Sequence, residues 1–191
     1  QMQRKSKNSY FISDTLSQKI SETKNSQGVF AVCKMKNENI SLKTGQKYIA
    51  LDNLQDPGNL GTVIRTAEAL GISSVIVGGG CDVFNPKVLR ASMGSVLRLD
   101  VFECQSLAPV LQKAKSLGIK TYATSPDSSA KKINETQFPK SSLCVIGNEA
   151  NGVSDEVMNI CDETVTIPML GRAESLNAHV AGAIVMWEML R

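Results

Sequence analysis

From Lys47 onward, short apolar runs alternate with stretches whose apolar residues recur at helical spacing. Tyr48–Leu51, Ser74–Val77, Leu99–Phe102, Lys120–Thr124, Leu143–Ile146 and Thr164–Ile167 read as strands. Between the first two, Leu60, Val63, Ile64, Ala67 and Leu70 trace one face of a helix that Gly71 closes, and Asp56–Asn59 before it reads as a turn. Further helices are predicted over Pro86–Ser95, Leu107–Leu117, Ser154–Ile160 and Ser175–Leu190, with Gly118 as a stop signal. Ser125–Ser141 reads as a polar linker with weak helical character. Most of the strands are apolar along their length rather than alternating. This predicts an α/β fold, a parallel sheet with helices on both faces. Ligands of such sheets sit beyond the carboxyl ends of the strands, which singles out the loops 52–59, 78–86, 124–129, 147–153 and 168–176.

The first 45 residues do not share this rhythm. They are rich in Lys, Ser, Asn and Gln and carry one short apolar run, Gly28–Cys33. Charge divides the chain at the same place. Residues 1–47 hold nine Lys and Arg against three acids, a charge of +6, while the remainder holds 12 basic and 15 acidic residues, a charge of −3. Such asymmetry fits a segment facing nucleic acid attached to a near-neutral body; it fits a solvated basic arm equally. The predicted domains are therefore 1–45 and 46–191.

Composition narrows the classes. No apolar run is long enough to span a membrane, and the polar, basic N-terminus has no apolar core of the signal-peptide kind. The five cysteines are widely spaced without a CxxC and the chain has a single histidine, so no metal site is expected. Reduced thiols in a cytoplasmic protein are the simplest reading of them.

Four loops carry candidate chemistry. Asn53–Gly61 leads into Ile64, Arg65 and Thr66; Arg65 lies beside the apolar stripe, where it is either a functional cation or a surface partner of Glu68 at i+3. Gly78–Gly80 follows a strand but lacks the GxGxxG spacing of a dinucleotide site, so it reads as a flexible turn. Val145–Gly152 runs from a buried strand into Gly147, Asn148 and Glu149; a carboxylate just outside an apolar strand end implies a designated partner, because burying it unpaired is costly. Ile167–Asn177 opens the last helix, which Ser175 is placed to cap. Free amides there also suit a carboxylate-bearing ligand.

Three of these segments resemble the motifs of the SpoU (TrmH-like) ribose methyltransferases of the SPOUT superfamily. Asn59-Leu-Gly-Thr-Val-Ile-Arg65-Thr-Ala is similar to the first motif, Ile146-Gly-Asn-Glu149-Ala-Asn-Gly152 to the second, and Ile167-Pro-Met169 with Glu174-Ser-Leu-Asn177 to the third, in the family's order. Upstream, Thr23–Ala31 looks like the end of the small ribosomal-protein-like substrate-binding domain that precedes the catalytic domain in many members, so the chain is expected to start inside that domain.

The resemblance implies an enzyme that transfers a methyl group from S-adenosylmethionine to a ribose 2′-hydroxyl of RNA, ribosomal RNA ahead of transfer RNA. It implies Asn59, Arg65, Glu149, Ser175 and Asn177 as catalytic residues. Thr124, Ser125, Gly147, Asn148, Gly152, Ile167, Met169 and Leu176 are implied to line the cofactor pocket. It also implies a C-terminal trefoil knot and a homodimer built on the last helix. A non-catalytic RNA-binding protein of the same fold is the rival. One position departs from the pattern: the family often has a small residue where His179 stands. His179 either lines the RNA pocket or packs within its helix.

Overall fold

The structure, a computed structural model, describes residues 7–34 and 39–191. The chain divides into two units, Gln1–Asn37 and Glu38–Arg191. In the first, α1 (Asp14–Ile20) is a seven-residue helix capped by Ser13, whose side chain accepts from the Leu16 N–H at 3.2 Å. None of its residues is buried. Tyr10, Phe11, Val29 and Val32 are exposed, so the apolar run at Gly28–Cys33 enters no core. Arg4, Lys5 and Lys36, part of the basic excess, lie outside the described residues.

The second unit is the expected parallel sheet. Its strands are β1 (Lys47–Asp52), β2 (Ser74–Gly78), β3 (Asp100–Cys104), β4 (Lys120–Thr124), β5 (Lys131–Lys132), β6 (Ser142–Ile146) and β7 (Glu163–Thr166), in the spatial order β3-β2-β1-β6-β4-β7-β5 with every neighbouring pair parallel. The central strands are buried along nearly their whole length, which is why they read as unbroken apolar runs. Alternate side chains nonetheless serve different cores. Ile49, Leu51, Val75 and Val77 pack under α2 (Pro57–Leu70), α3 (Pro86–Ala91) and α6 (Ala178–Leu190). Tyr48, Ala50 and Ile76 pack under α4 (Ala108–Ser116) and α5 (Asp155–Ile160) on the other face.

The differences from the sequence reading have local causes. Asp56–Asn59 is not a free turn. Asp56 is the N-cap of α2, accepting from the Asn59 N–H at 2.8 Å, and Pro57 supplies the first helical φ. The third helix ends at Ala91, before the expected Ser95, because Met93 and Gly94 both take positive φ. The expected linker contains β5, only two residues long and too short to show a period. The last helix starts at Ala178, three residues later than expected, and its cap is Asn177, not Ser175.

Gly61, in the first motif, has a packing role. A Cβ there would sit 2.7 Å from the Val88 carbonyl oxygen and 3.0 Å from the Ser92 nitrogen, so only glycine lets α2 and α3 approach this closely. The close approach fixes the helix that carries Asn59 and Arg65.

Candidate active site

Because all seven strands are parallel, the loops after β1, β2, β4, β6 and β7 emerge along one edge of the sheet. The loops after β1 and β6 are tied together there. Asp52, closing β1, accepts from both the backbone N–H and the hydroxyl of Ser154, at 2.8 and 2.7 Å. The Asn148 side-chain amide donates to the Asn53 carbonyl at 2.8 Å, while its own oxygen accepts from the Ala150 N–H at 2.9 Å. Asn148 and Gly152 pair backbone to backbone, which folds 147–152 into a closed loop. Gly147 makes the closure possible, because any Cβ on it would overlap the Gly152 and Val153 backbone.

This scaffold delivers Glu149 to the N-terminal end of α2. Its carboxylate accepts from the Asn59 amide at 2.8 Å and from the backbone N–H groups of Gln55 and Asp56, both at 3.3 Å. Partial burial pushes its pKa up, but the hydrogen bonds from Asn59, from its own backbone and from Gln55 and Asp56 outweigh that, and the carboxyl is held below its ordinary value. An anion beside free helix amides is also favoured by the helix dipole. The designated partner expected for this carboxylate is thus found, and it is Asn59, a residue of another motif.

Asn59 is buried and reaches further. Its side-chain oxygen lies 2.9 Å from His179 Nδ1. His179 stands in the first turn of α6, where its backbone N–H donates to the Asn177 side chain at 3.2 Å. One continuous chain of contacts therefore runs Glu149–Asn59–His179–Asn177 and joins all three candidate motifs.

That convergence is matched by kinship. The model of the SpoU rRNA Methylase family matches residues 46–187. The chain belongs to this family. It is 36% identical over 181 residues to the 23S rRNA (guanosine(2553)-2′-O)-methyltransferase RlmP of Bacillus subtilis, covering 94% of this chain and 71% of that protein. The SpoU methyltransferase AviRb of Streptomyces viridochromogenes, solved in complex with AdoMet, is similar at 33% identity and a TM-score of 0.71, over 78% of this chain and 61% of that one. An AdoMet-bound rRNA methyltransferase from Sinorhizobium meliloti is likewise 33% identical, with a TM-score of 0.72, over 78% of this chain and 57% of that one. The chain thus spans about three fifths of the length of these solved relatives.

The other SpoU-motif residues are placed differently. Arg65 lies on α2 six residues beyond Asn59, about 9 Å further along the axis at 1.5 Å per residue. It is exposed and, among the described residues, has no hydrogen-bond or ion-pair partner. The alternative role at Glu68 is closed, because Glu68 is occupied by Arg98, with Nε at 3.0 Å and Nη2 at 3.1 Å, and by the Ser95 hydroxyl at 3.1 Å. Ser175 is exposed in the 167–177 segment, without the helix-capping bond expected of it. Asn177 makes that bond instead.

The residues expected to line the cofactor pocket sit at the ends of three adjacent strands, β6, β4 and β7. The Thr124 hydroxyl donates to the Val145 carbonyl at 3.0 Å, and the Ser125 N–H to the Val165 carbonyl at 2.9 Å, stitching these ends together. Ile167, Met169 and Leu176 lie in the segment between β7 and α6, and all three are half-buried, whereas Leu170 is fully exposed. The sequence reading does not foresee the contacts of two residues that it names. Asn53, held at φ 55°, presents the carbonyl that anchors Asn148, and His179 bridges Asn59 and Asn177. A lone histidine two positions beyond a motif asparagine was the available signal for the second. No comparable signal marks the first.

Proposed function

We propose that this protein transfers a methyl group from S-adenosylmethionine to a ribose 2′-hydroxyl of RNA, with ribosomal RNA as substrate. The observation that carries the reading is the Glu149–Asn59 hydrogen bond at the carboxyl edge of a parallel sheet, in a chain of the SpoU family. The residues fit the cofactor. The ends of β4, β6 and β7 adjoin, and the irregular segment 167–177 beside them offers backbone groups and half-buried apolar side chains for an adenine and an amino-acid moiety. Gly147, Asn148, Gly152, Thr124, Ser125, Ile167, Met169 and Leu176 hold it. Bound there, the sulfonium supplies an electrophilic methyl carbon.

The protein's own part is to hold the hydroxyl in line with that carbon and to manage its proton as the O–C bond forms and the C–S bond breaks. Arg65 grips the target phosphate and polarises the 2′-hydroxyl, and a phosphate oxygen takes the proton, since a guanidinium stays protonated. Its lack of a partner among the described residues supports this role. Asn59, Glu149, Ser175 and Asn177 orient the ribose. The test is methyl transfer to ribosomal and transfer RNA from labelled S-adenosylmethionine, with mapping of the riboses that resist alkaline cleavage. Label in ribosomal RNA at a 2′-oxygen is the expected result. Label in transfer RNA alone would move the substrate, and a protein that binds RNA without transfer would leave a non-catalytic relative.

The assembly belongs to the same reading. Val180, Trp187 and Leu190 line the outer side of α6, with Trp187 60% exposed, while Val185, Met186 and Met189 on its inner side are buried. A helix apolar on both sides suits burial against a second copy, and a dimer mass by light scattering at tens of micromolar checks it. The C-terminal trefoil knot and cytoplasmic location are part of this proposal. So is the role of residues 1–45 as the end of an RNA-binding domain. Removing them should weaken RNA binding and flatten its salt dependence while leaving cofactor affinity intact, as filter binding at several salt concentrations would measure.

A further inference from the structure

His179 occupies a position no motif residue explains, yet it joins two of them. Its ring touches Asn59 and its backbone N–H touches Asn177. The direction of these bonds follows from charge. Glu149 is a carboxylate, able only to accept, and the group facing it from Asn59 must therefore be the NH2. That fixes the other end of the amide: Asn59 turns its oxygen, which only accepts, toward His179. The Nδ1 atom 2.9 Å away must then carry the proton. A neutral His179 is accordingly the Nδ1–H tautomer, with Nε2 unprotonated. This is the same logic by which an outer partner fixes the tautomer of a metal-bound imidazole.

We infer that His179 is a positioning residue, a clasp that holds the Asn59 amide in the orientation Glu149 requires and so keeps the first, second and third motifs in register. The inference rests on the proposed methyl transfer for its kinetic consequences and on the geometry alone for its tautomer. Without the ring, the Asn59 oxygen loses its partner inside a buried site. The amide is then free to rotate, and Glu149 and the α2 N-terminus lose a fixed neighbour. Because both the neutral Nδ1–H form and the imidazolium carry a proton on Nδ1, the clasp persists in either state.

The chain has one histidine, so its ring nitrogens can be read without assignment from proton–nitrogen correlation spectra of uniformly 15N-labelled protein. In the neutral ring, Nδ1 should be protonated and Nε2 bare, and in Asn59→Ala the ring should revert to the tautomer mixture of a free imidazole. In single-turnover methylation with saturating cofactor, His179→Ala should slow transfer about tenfold, the equivalent of about 1.4 kcal/mol, with cofactor affinity unchanged. His179→Asn, whose amide nitrogen can stand where Nδ1 stood, should recover most of that loss. His179→Asp presents only oxygens to the Asn59 oxygen and should fall below His179→Ala. An Nε2–H tautomer in the folded wild type, a wild-type rate in His179→Ala, or no recovery in His179→Asn overturns the clasp. Wild-type protein with the Nδ1–H tautomer that transfers no methyl overturns the methyltransferase reading instead and leaves the clasp standing.

Discussion

Around Glu149 nearly every polar group has a partner within the protein, whereas Arg65, Ser175 and the segment before α6 hold theirs toward solvent. In the first region, Asp52, Asn53, Asn148, Glu149, Asn59 and His179 each make hydrogen bonds, of 2.7–3.3 Å, across two loops and two helices. In the second, Arg65 and Ser175 have no partner among the described residues, and Leu170 is bare. Preorganisation explains the contrast. Groups that must not move during a reaction are locked by their neighbours beforehand, while groups that grip a mobile substrate acquire their partners only when it arrives. Substitutions in the first region should therefore cost stability as well as rate, and those in the second rate alone.

The sharpest way to break this comparison is at Arg65. Arg65→Ala should raise the barrier of the chemical step by about 2–4 kcal/mol, as expected for removing one charge-stabilising donor, and Arg65→Lys should also be poor because it loses the planar fork. Unfolding free energy should change by less than about 0.5 kcal/mol, since no hydrogen bond or ion pair among the described residues is lost. Single-turnover methylation beside urea denaturation measures both. Turnover near normal in Arg65→Ala would remove the division of labour.

Two glycines offer the next contrast. Gly147→Ala forces a methyl into the Gly152–Val153 backbone and should cost roughly 1–3 kcal/mol of stability, the usual penalty of overpacking. At Gly171 a Cβ would meet nothing within 4 Å, so this position should tolerate alanine within about 0.5 kcal/mol. Equal urea midpoints for the two variants would show that the loop after β6 is as yielding as the segment before α6.

The smallest effect separates two residues of one motif. Asn177→Ala removes the N-cap of α6 and should cost about 1 kcal/mol, whereas Ser175→Ala should leave the melting temperature unchanged and act only on methyl transfer. A stability loss in Ser175→Ala comparable to that of Asn177→Ala would mean that the cap is shared.

Periodicity and turn chemistry carried the sheet, its parallel character and the loops at its ligand-binding edge, because strands buried on both faces must be apolar along their length. Tyr48–Leu51 and Leu143–Ile146 announce themselves in this way. The resemblance to the SpoU motifs, not spacing alone, carried Asn59, Arg65, Glu149, Ser175 and Asn177 into the candidate set. Burial and local capping could not be read so far. Whether Ser175 or Asn177 caps α6 depends on where the helix starts, a difference of two residues that intrinsic propensities do not resolve. The two-residue strand β5 has no period of its own and exists only because β7 offers an edge.

The sequence by itself determined where the central strands and the long helices lie, and which polar residues stand at strand ends, since both follow from patterns within a dozen neighbours. Only the tertiary structure decided their partners. Glu149 finds Asn59 at a separation of 90 residues, and Asn59 finds His179 at a separation of 120. Those contacts depend on β6 pairing with β1 and on α2 packing against α6, arrangements of the whole sheet that no local pattern encodes.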